Sequence, residues 1–292
     1  MIDLNLGDLY GNKSTKEVKK MSFKALKDNL GLIFSDTWYF ILLGAVVMAL
    51  MSYFSTSSLL EMEEVNQFSL LKDTFILKLI SGFFSIVIYL LVESKVFSGI
   101  NHQSLKLNFI RNIKFSLPLF LIFYIPYFVI LGITMSSSST SSYSFFCLYL
   151  FWFLLLIPTA YSYMNYIMDE KLTLKEAYTD SYVIGFKNYG FILVSILRVL
   201  IYILLVFLMM IIISIPLYII SFGTHWLPIA YTISFLYFIY YFVVFIFLFL
   251  FLFLNYYIYL AIKKEMDEKN ILNSEVQKEN VNDSIQEKSI EE

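Results

Sequence analysis

The stretch "YGFILVSILRVLIYILLVFLMMIIISIPLYIISF", residues 189–222, contains 34 residues and one charged side chain, Arg198. A helix of about 20 apolar residues crosses a bilayer, because the hydrocarbon core is about 30 Å thick and a helix rises about 1.5 Å per residue. The stretch therefore predicts a transmembrane helix. At roughly 51 Å it is longer than the core is thick, so we expect it to tilt, break or project from the membrane.

Apolar runs of this kind recur along the chain. Of its 292 residues, 59% are hydrophobic and 15% are charged, whereas soluble domains carry about 25% charged residues. The sequence predicts an all-α fold, a polytopic membrane helix bundle with six transmembrane helices. We place these spans at residues 38–54, 75–96, 117–135, 145–168, 189–222 and 229–262.

The spans divide the chain into three parts. Residues 1–37 form an N-terminal tail with an amphipathic helix, residues 38–262 form the transmembrane domain, and residues 263–292 form an acidic tail. The acidic tail has many charges and no aromatic residue, so it cannot bury enough apolar surface to offset its chain entropy. We expect it to be disordered.

Lysine and arginine are distributed unevenly between the two sides of the membrane. Counting the loop before predicted span 3 from Glu93, eighteen of the 21 basic residues lie in the two tails and in the loops before predicted spans 3 and 5. Basic residues in short loops favour the cytoplasmic side. Because the number of predicted spans is even, we expect both termini in the cytoplasm.

Two helix-start signals of the same form precede odd-numbered spans. In Ser14-x-x-Glu17 and in Thr173-x-x-Glu176, each side chain can accept a hydrogen bond from the other residue's free backbone N–H, which is the capping-box pattern. Both signals therefore predict the first turn of a helix.

Apolar residues at helical spacing follow each of these signals, and they also occur in residues 109–117. We predict amphipathic helices before spans 1, 3 and 5 that lie in the membrane interface with their lysines toward anionic lipid headgroups. Trp38 and Tyr189 are predicted interface anchors, at the points where the first and third helices turn into the bilayer.

Ionisable residues within the spans are the candidate site residues, because charges are costly in hydrocarbon and mark functional sites. Glu93 ends predicted span 2 on the cytoplasmic side, and Arg198 lies nine residues into span 5 from the same side. If Arg198 points inward, Glu93 at matching depth is its expected partner. The alternative is that Arg198 extends its long side chain to the interface.

Four prolines lie within the predicted spans: Pro118, Pro126, Pro158 and Pro216. Proline is common in membrane helices, which favours simple kinks. In transporters, however, broken helices bind substrates near the middle of the membrane. Both readings stay open at this stage.

Motifs for catalysis or metal binding are missing from the sequence. Its two histidines, His102 and His225, fall on opposite sides of the membrane in the predicted topology, and there is no H-E-x-x-H, G-x-S-x-G or phosphate-binding loop. We therefore predict no catalytic residue, metal, cofactor or nucleic-acid partner.

The segment "LTLKEAYTDSYVIGFKNYGFIL", residues 172–193, leads into an apolar hairpin. In this respect the chain resembles bacterial six-span inner-membrane proteins. The layout of residues 15–262 is similar to that of the membrane domain found with some glycerophosphodiester phosphodiesterases. The resemblance implies a multi-pass protein of the bacterial inner membrane. The catalytic barrel of those enzymes is not in these 292 residues, so no catalytic residue carries over.

These observations lead us to expect a non-catalytic integral membrane protein, transport-related or scaffold-like, that handles a lipid or a hydrophobic small molecule. Membrane lipids are the expected partners, and a protein partner could dock on the cytoplasmic helices or on the C-terminal tail. The alternative is a membrane enzyme that acts on lipid headgroups at the cytoplasmic interface. Its available carboxylates would be Glu93, Asp180 and Asp28.

Overall fold

The structure is a computed structural model, and it describes residues 14–60, 67–136, 154–224, 239–240, 242–264 and 266. Within these residues the chain is helical and has no β-strand. The helices are α1 (Thr15–Leu60), α2 (Gln67–Asn101), α3 (Leu105–Ser136), α4 (Thr159–Met168), α5 (Leu174–Glu176), the π-helical turn π1 (Ala177–Ser181), α6 (Tyr182–Lys187), α7 (Tyr189–Thr224) and α8 (Phe242–Lys264).

Four of the described helical segments are long and apolar enough to cross a membrane. They are Thr15–Val47, Phe83–Asn101, Tyr189–Val206 and Phe242–Lys264. Each overlaps one of predicted spans 1, 2, 5 and 6. The all-α prediction is confirmed for the described residues, and the chain is a membrane-embedded helix bundle.

Several predicted features lie outside the described residues. These are residues 1–13 of the N-terminal tail, the first nine residues of predicted span 4, His225, residues 229–238 of predicted span 6 and the C-terminal tail beyond residue 266.

Helix α1 is a single helix of 46 residues, from Thr15 to Leu60. It begins directly after Ser14, as the first helix-start signal predicts, and the N–H groups of Glu17 and Val18 both donate to the Ser14 carbonyl at 3.0 Å. The expected turn at Trp38 is wrong, because the helix continues through this residue.

The N-terminal part of α1 packs along α7 instead of forming a separate element. The Lys19 ammonium donates to the Tyr202 hydroxyl at 3.1 Å. The ring of Phe23 meets the same tyrosine ring edge to face, at 5.4 Å between centroids. These contacts hold the start of α1 against α7, which favours its continuation as one helix. Helix α3 likewise includes its predicted amphipathic segment without a break.

The third amphipathic segment is separate, as predicted. The Thr173 N–H donates to the Glu176 carboxylate at 2.7 Å, and the Glu176 N–H donates back to the Thr173 hydroxyl at 3.3 Å. This confirms the second capping box. Hydrogen bonds from Thr173 hold the pKa of the Glu176 carboxyl below its usual value. Helix α6 ends at Lys187, Asn188 leaves helical geometry with ψ 18°, and α7 begins at Tyr189.

Helix α6 packs against the start of α4 through a glycine. A Cβ atom at Gly185 would meet the carbonyl carbon of Pro158 at 3.1 Å and its Cα at 3.2 Å, with the carbonyl oxygen closer still. These are backbone atoms, which cannot rotate away. Glycine is therefore the residue that fits this approach between the two helices.

Replacing Gly185 with alanine should destabilise the protein by about 1–3 kcal/mol, because overpacking against fixed backbone has costs of that size. Gly31→Ala is the matched control, since a Cβ at Gly31 has no neighbour within 4 Å and alanine favours a helix by about 0.5–1 kcal/mol. Thermal unfolding of detergent-purified protein should show opposite shifts in Tm. Equal shifts would contradict this packing.

The guanidinium of Arg111, on α3, holds the chain that leaves α4. It donates to the backbone carbonyls of Tyr166, Asp169, Glu170 and Leu172. It also lies over the Tyr166 ring, 4.0 Å from the centroid. Burial lowers the pKa of Arg111, and Tyr166 with the two acidic residues opposes that shift. The side chain is 8% exposed. A cation placed on the carbonyls at a helix C-terminus is favoured by the helix dipole.

Arg111→Lys should lower stability by about 2 kcal/mol, because a lysine has no planar fork and would leave buried carbonyls without donors. Arg198→Lys is the matched control, since Arg198 is exposed on α7 and should tolerate the change. The loss of the main size-exclusion peak after heating measures the thermal stability of each variant. A similar loss for the two variants would argue against the role of Arg111.

Candidate functional site

A cavity of about 310 Å³ lies between the helices of the bundle. Helices α2, α3, α4, α7 and α8 all contribute to its wall. The lining is mostly apolar and aromatic, and its polar members are Tyr89, Glu93, Ser116, Thr159, Tyr163 and Asn255. A mostly apolar cleft with a few convergent polar groups is the usual form of a small-molecule site.

One wall of the cavity is a broken helix. Residues 154–156 are helical, residues 157–158 form a turn, and α4 starts afresh at Thr159. Pro158 has no N–H, so the helical bond to the Leu154 carbonyl cannot form. The Ile157 N–H reaches that carbonyl instead, at 3.4 Å. Of the four prolines within predicted spans, only Pro158 interrupts a described helix.

The break frees two further carbonyls, and side chains bond to both. The Tyr182 hydroxyl, on α6, donates to the Leu155 carbonyl at 2.9 Å, and the Thr159 hydroxyl donates to the Leu156 carbonyl at 2.5 Å. Unsatisfied backbone groups cost several kcal/mol in hydrocarbon. The segment that carries Tyr182 and Gly185 therefore contacts the backbone at the break beside Pro158.

Glu93 is the one charged residue among the described residues that line the cavity. Its side chain is 3% exposed, and its carboxyl lies within hydrogen-bonding reach of the Tyr163 hydroxyl. Helix α2 therefore places a carboxyl group against a tyrosine of α4, inside an otherwise apolar bundle.

Tyr163 also belongs to a chain of buried hydrogen bonds that joins three helices. Its hydroxyl donates to Asn112 Oδ1 at 2.7 Å, Asn112 Nδ2 donates to the Ser94 hydroxyl at 2.7 Å, and that hydroxyl donates to the Leu90 carbonyl at 2.5 Å. Asn112 and Ser94 are fully buried. Each donor in this chain has one acceptor, so all the bonds run in one direction, away from Glu93.

The structure does not bring the two predicted site residues together. Glu93 is buried, whereas Arg198 is exposed on α7, and in the described part of the chain no ion pair joins them. The Arg198 side chain is thus exposed on the surface of α7, and its extension to the membrane interface stays a prediction. Of the predicted anchors, Trp38 is 49% exposed, and Tyr189 is half-buried with its ring 6.0 Å from that of Phe186.

The sequence singled out Glu93 but missed its neighbours. Tyr89 lies one helical turn before Glu93, at the i, i+4 spacing that places two side chains on one helix face, and this signal was available. Tyr163 and Asn112 come from other helices. No local pattern connects them to Glu93, because their contact depends on how α3 and α4 pack against α2.

Carboxylates do not gather elsewhere in the described residues. Asp28 and Asp180, which the enzyme alternative requires, are exposed on the surface, away from the buried environment of Glu93. Within the same described set, no group of three or more His, Cys, Asp or Glu residues could hold a metal ion.

Fold and cavity together define a helical, membrane-embedded protein with an acidic pocket inside its bundle. No protein-family model, curated protein or solved structure matches the chain. Its function therefore has to be argued from the residues of this site.

Proposed function

We propose that this is a non-catalytic, multi-pass protein of the bacterial inner membrane that binds a hydrophobic small molecule or a lipid as part of transport. The observation that carries the proposal is the cavity of about 310 Å³, bounded by five helices and lined by residues on both sides of the break at Pro158. A broken helix beside a binding space inside a membrane bundle is the arrangement by which transporters hold their substrates.

The proposed topology has six spans and both termini in the cytoplasm. It is supported by the distribution of basic residues and by the four described apolar segments. On the cytoplasmic side, the segment from α5 to α6 would lie in the interface. Val183 and Phe186 are 51% and 60% exposed there, which suits burial among lipid chains. The proposed layout is similar to that of the membrane domain found with some glycerophosphodiester phosphodiesterases.

Cysteine labelling tests this topology. In a Cys147→Ser background, a cysteine at Ser138 should react with a membrane-impermeant maleimide in intact spheroplasts. A cysteine at Ser274 should react only after the membrane is permeabilised, because a charged reagent does not cross hydrocarbon. The reverse pattern, or equal labelling in intact cells, would contradict the orientation.

A bulky residue inside the cavity tests its binding function. Leu200→Trp should fill part of the space and lower the amount of ligand that native mass spectrometry detects on protein purified in mild detergent. Leu204→Trp is the matched control, since it makes the same change one turn later on α7, at a side chain that is 58% exposed. We expect Leu200→Trp to retain at least threefold less ligand than wild type. A loss of 1.4 kcal/mol in binding free energy corresponds to about a tenfold increase in Kd. Equal retention by both variants would contradict the assignment.

A further inference from the structure

The chemical character of the cavity restricts what can occupy it. Among the described lining residues one is acidic, Glu93, and none is Lys, Arg or His. An anionic ligand would therefore meet a carboxyl group and no compensating cation. Uncompensated charge in a low-dielectric interior is strongly disfavoured, so the lining selects a neutral or a cationic occupant.

The aromatic part of the lining favours a cationic occupant over a neutral one. The lining includes four aromatic residues, one from each of α2, α3, α4 and α8: Tyr89, Phe115, Tyr163 and Phe251. Aromatic faces attract organic cations, and the attraction increases where water is excluded. The remaining aliphatic residues, including Leu119 and Leu200, would contact apolar substituents of the same ligand.

The hydrogen-bond chain bears on the protonation state of Glu93. Tyr163 has one hydroxyl proton, and that proton is donated to Asn112. A Glu93 carboxylate would need the same proton, since a carboxylate can only accept. With the Tyr163 proton on Asn112, the Tyr163 oxygen can accept from Glu93, and the protonated acid is the form of Glu93 that can donate to it.

We infer that the Glu93 cavity binds an organic cation with apolar substituents, and that the cation enters in exchange for the Glu93 proton. The inference rests on the proposed function and names its ligand class. The exchange balances charge: a neutral acid becomes a carboxylate, the proton leaves to solvent, and the bound cation neutralises the carboxylate. The cavity is thus uncharged both before and after binding.

The groups that face Glu93 are compatible with this exchange. The titratable ones are Tyr89 on α2 and Tyr163 on α4. The described lining from α3, α7 and α8 presents only the neutral polar groups Ser116 and Asn255 besides apolar side chains. No neighbouring cation is therefore available to take the place of the ligand. When the carboxylate forms, the Tyr163 hydroxyl can turn to donate to it.

Binding of benzyltrimethylammonium to the full chain in uncharged maltoside micelles tests the inference. Neopentylbenzene, in which carbon replaces the charged nitrogen, is the neutral isostere. We expect Glu93→Gln to weaken binding of the cation by roughly thirtyfold or more, because a buried charge loses its partner, and to leave binding of the isostere unchanged. Glu170→Gln makes the same substitution at an exposed site and should change neither affinity.

Proton release provides a measurement that needs no variant. In weakly buffered solution with an indicator dye, wild-type protein should release about one proton for each cation bound and none with the isostere. Cation binding without proton release, or equal cation affinity in Glu93→Gln and wild type, would overturn the inference.

The outcomes of these experiments distinguish a failure of this inference from a failure of the proposed function on which it rests. If wild type binds the isostere as tightly as the cation and Leu200→Trp blocks both, the cavity function stands and the cation assignment fails. If wild type binds neither compound, both fail.

Adding phosphatidylethanolamine to the micelles identifies the natural source of the ammonium group. Competition with benzyltrimethylammonium indicates a lipid headgroup, and its absence indicates a free solute.

Discussion

A carbonyl group that loses its helical partner inside a membrane bundle must find another donor, because no water is present to replace it. The proline at position 158 creates this demand, and side chains from neighbouring elements meet it. Tyr182 reaches back from α6 to the Leu155 carbonyl, and the Thr159 hydroxyl covers the next one. Gly185 lets α6 approach closely enough for the first of these bonds.

A second group of carbonyls, where α4 ends, is held in the same way by Arg111. The short helix α4 is thus fixed at both ends by side chains from other elements. Between those fixed ends lies Tyr163, which lines the cavity and lies beside Glu93. The polar chain through Asn112 and Ser94 can exist in hydrocarbon because every member has a partner, and a partly satisfied network would be destabilising. The position of the candidate site therefore follows from how the broken helix is held.

Local signals in the sequence predicted local structure well. The Thr173–Glu176 box forms as expected, because both of its hydrogen bonds are made within one helical turn. The start of α7 at Tyr189 agrees with the start of the predicted span. The expected turn at Trp38 was wrong for the opposite reason. An amphipathic pattern shows which face of a helix is apolar, but whether that face meets lipid or another helix depends on neighbours such as Tyr202.

The sequence by itself determined the class of the protein, since the length and composition of its apolar runs decide that it enters a membrane as helices. It also identified Glu93, because a carboxyl group in an apolar run is costly wherever the helix packs. Only the tertiary structure decided that Arg198 is exposed, that Tyr163 and Asn112 meet beside Glu93, and that residues on both sides of Pro158 line a cavity. These features depend on the rotation and register of whole helices against one another. Rotation and register are set by contacts between residues far apart in the chain, which no local pattern records.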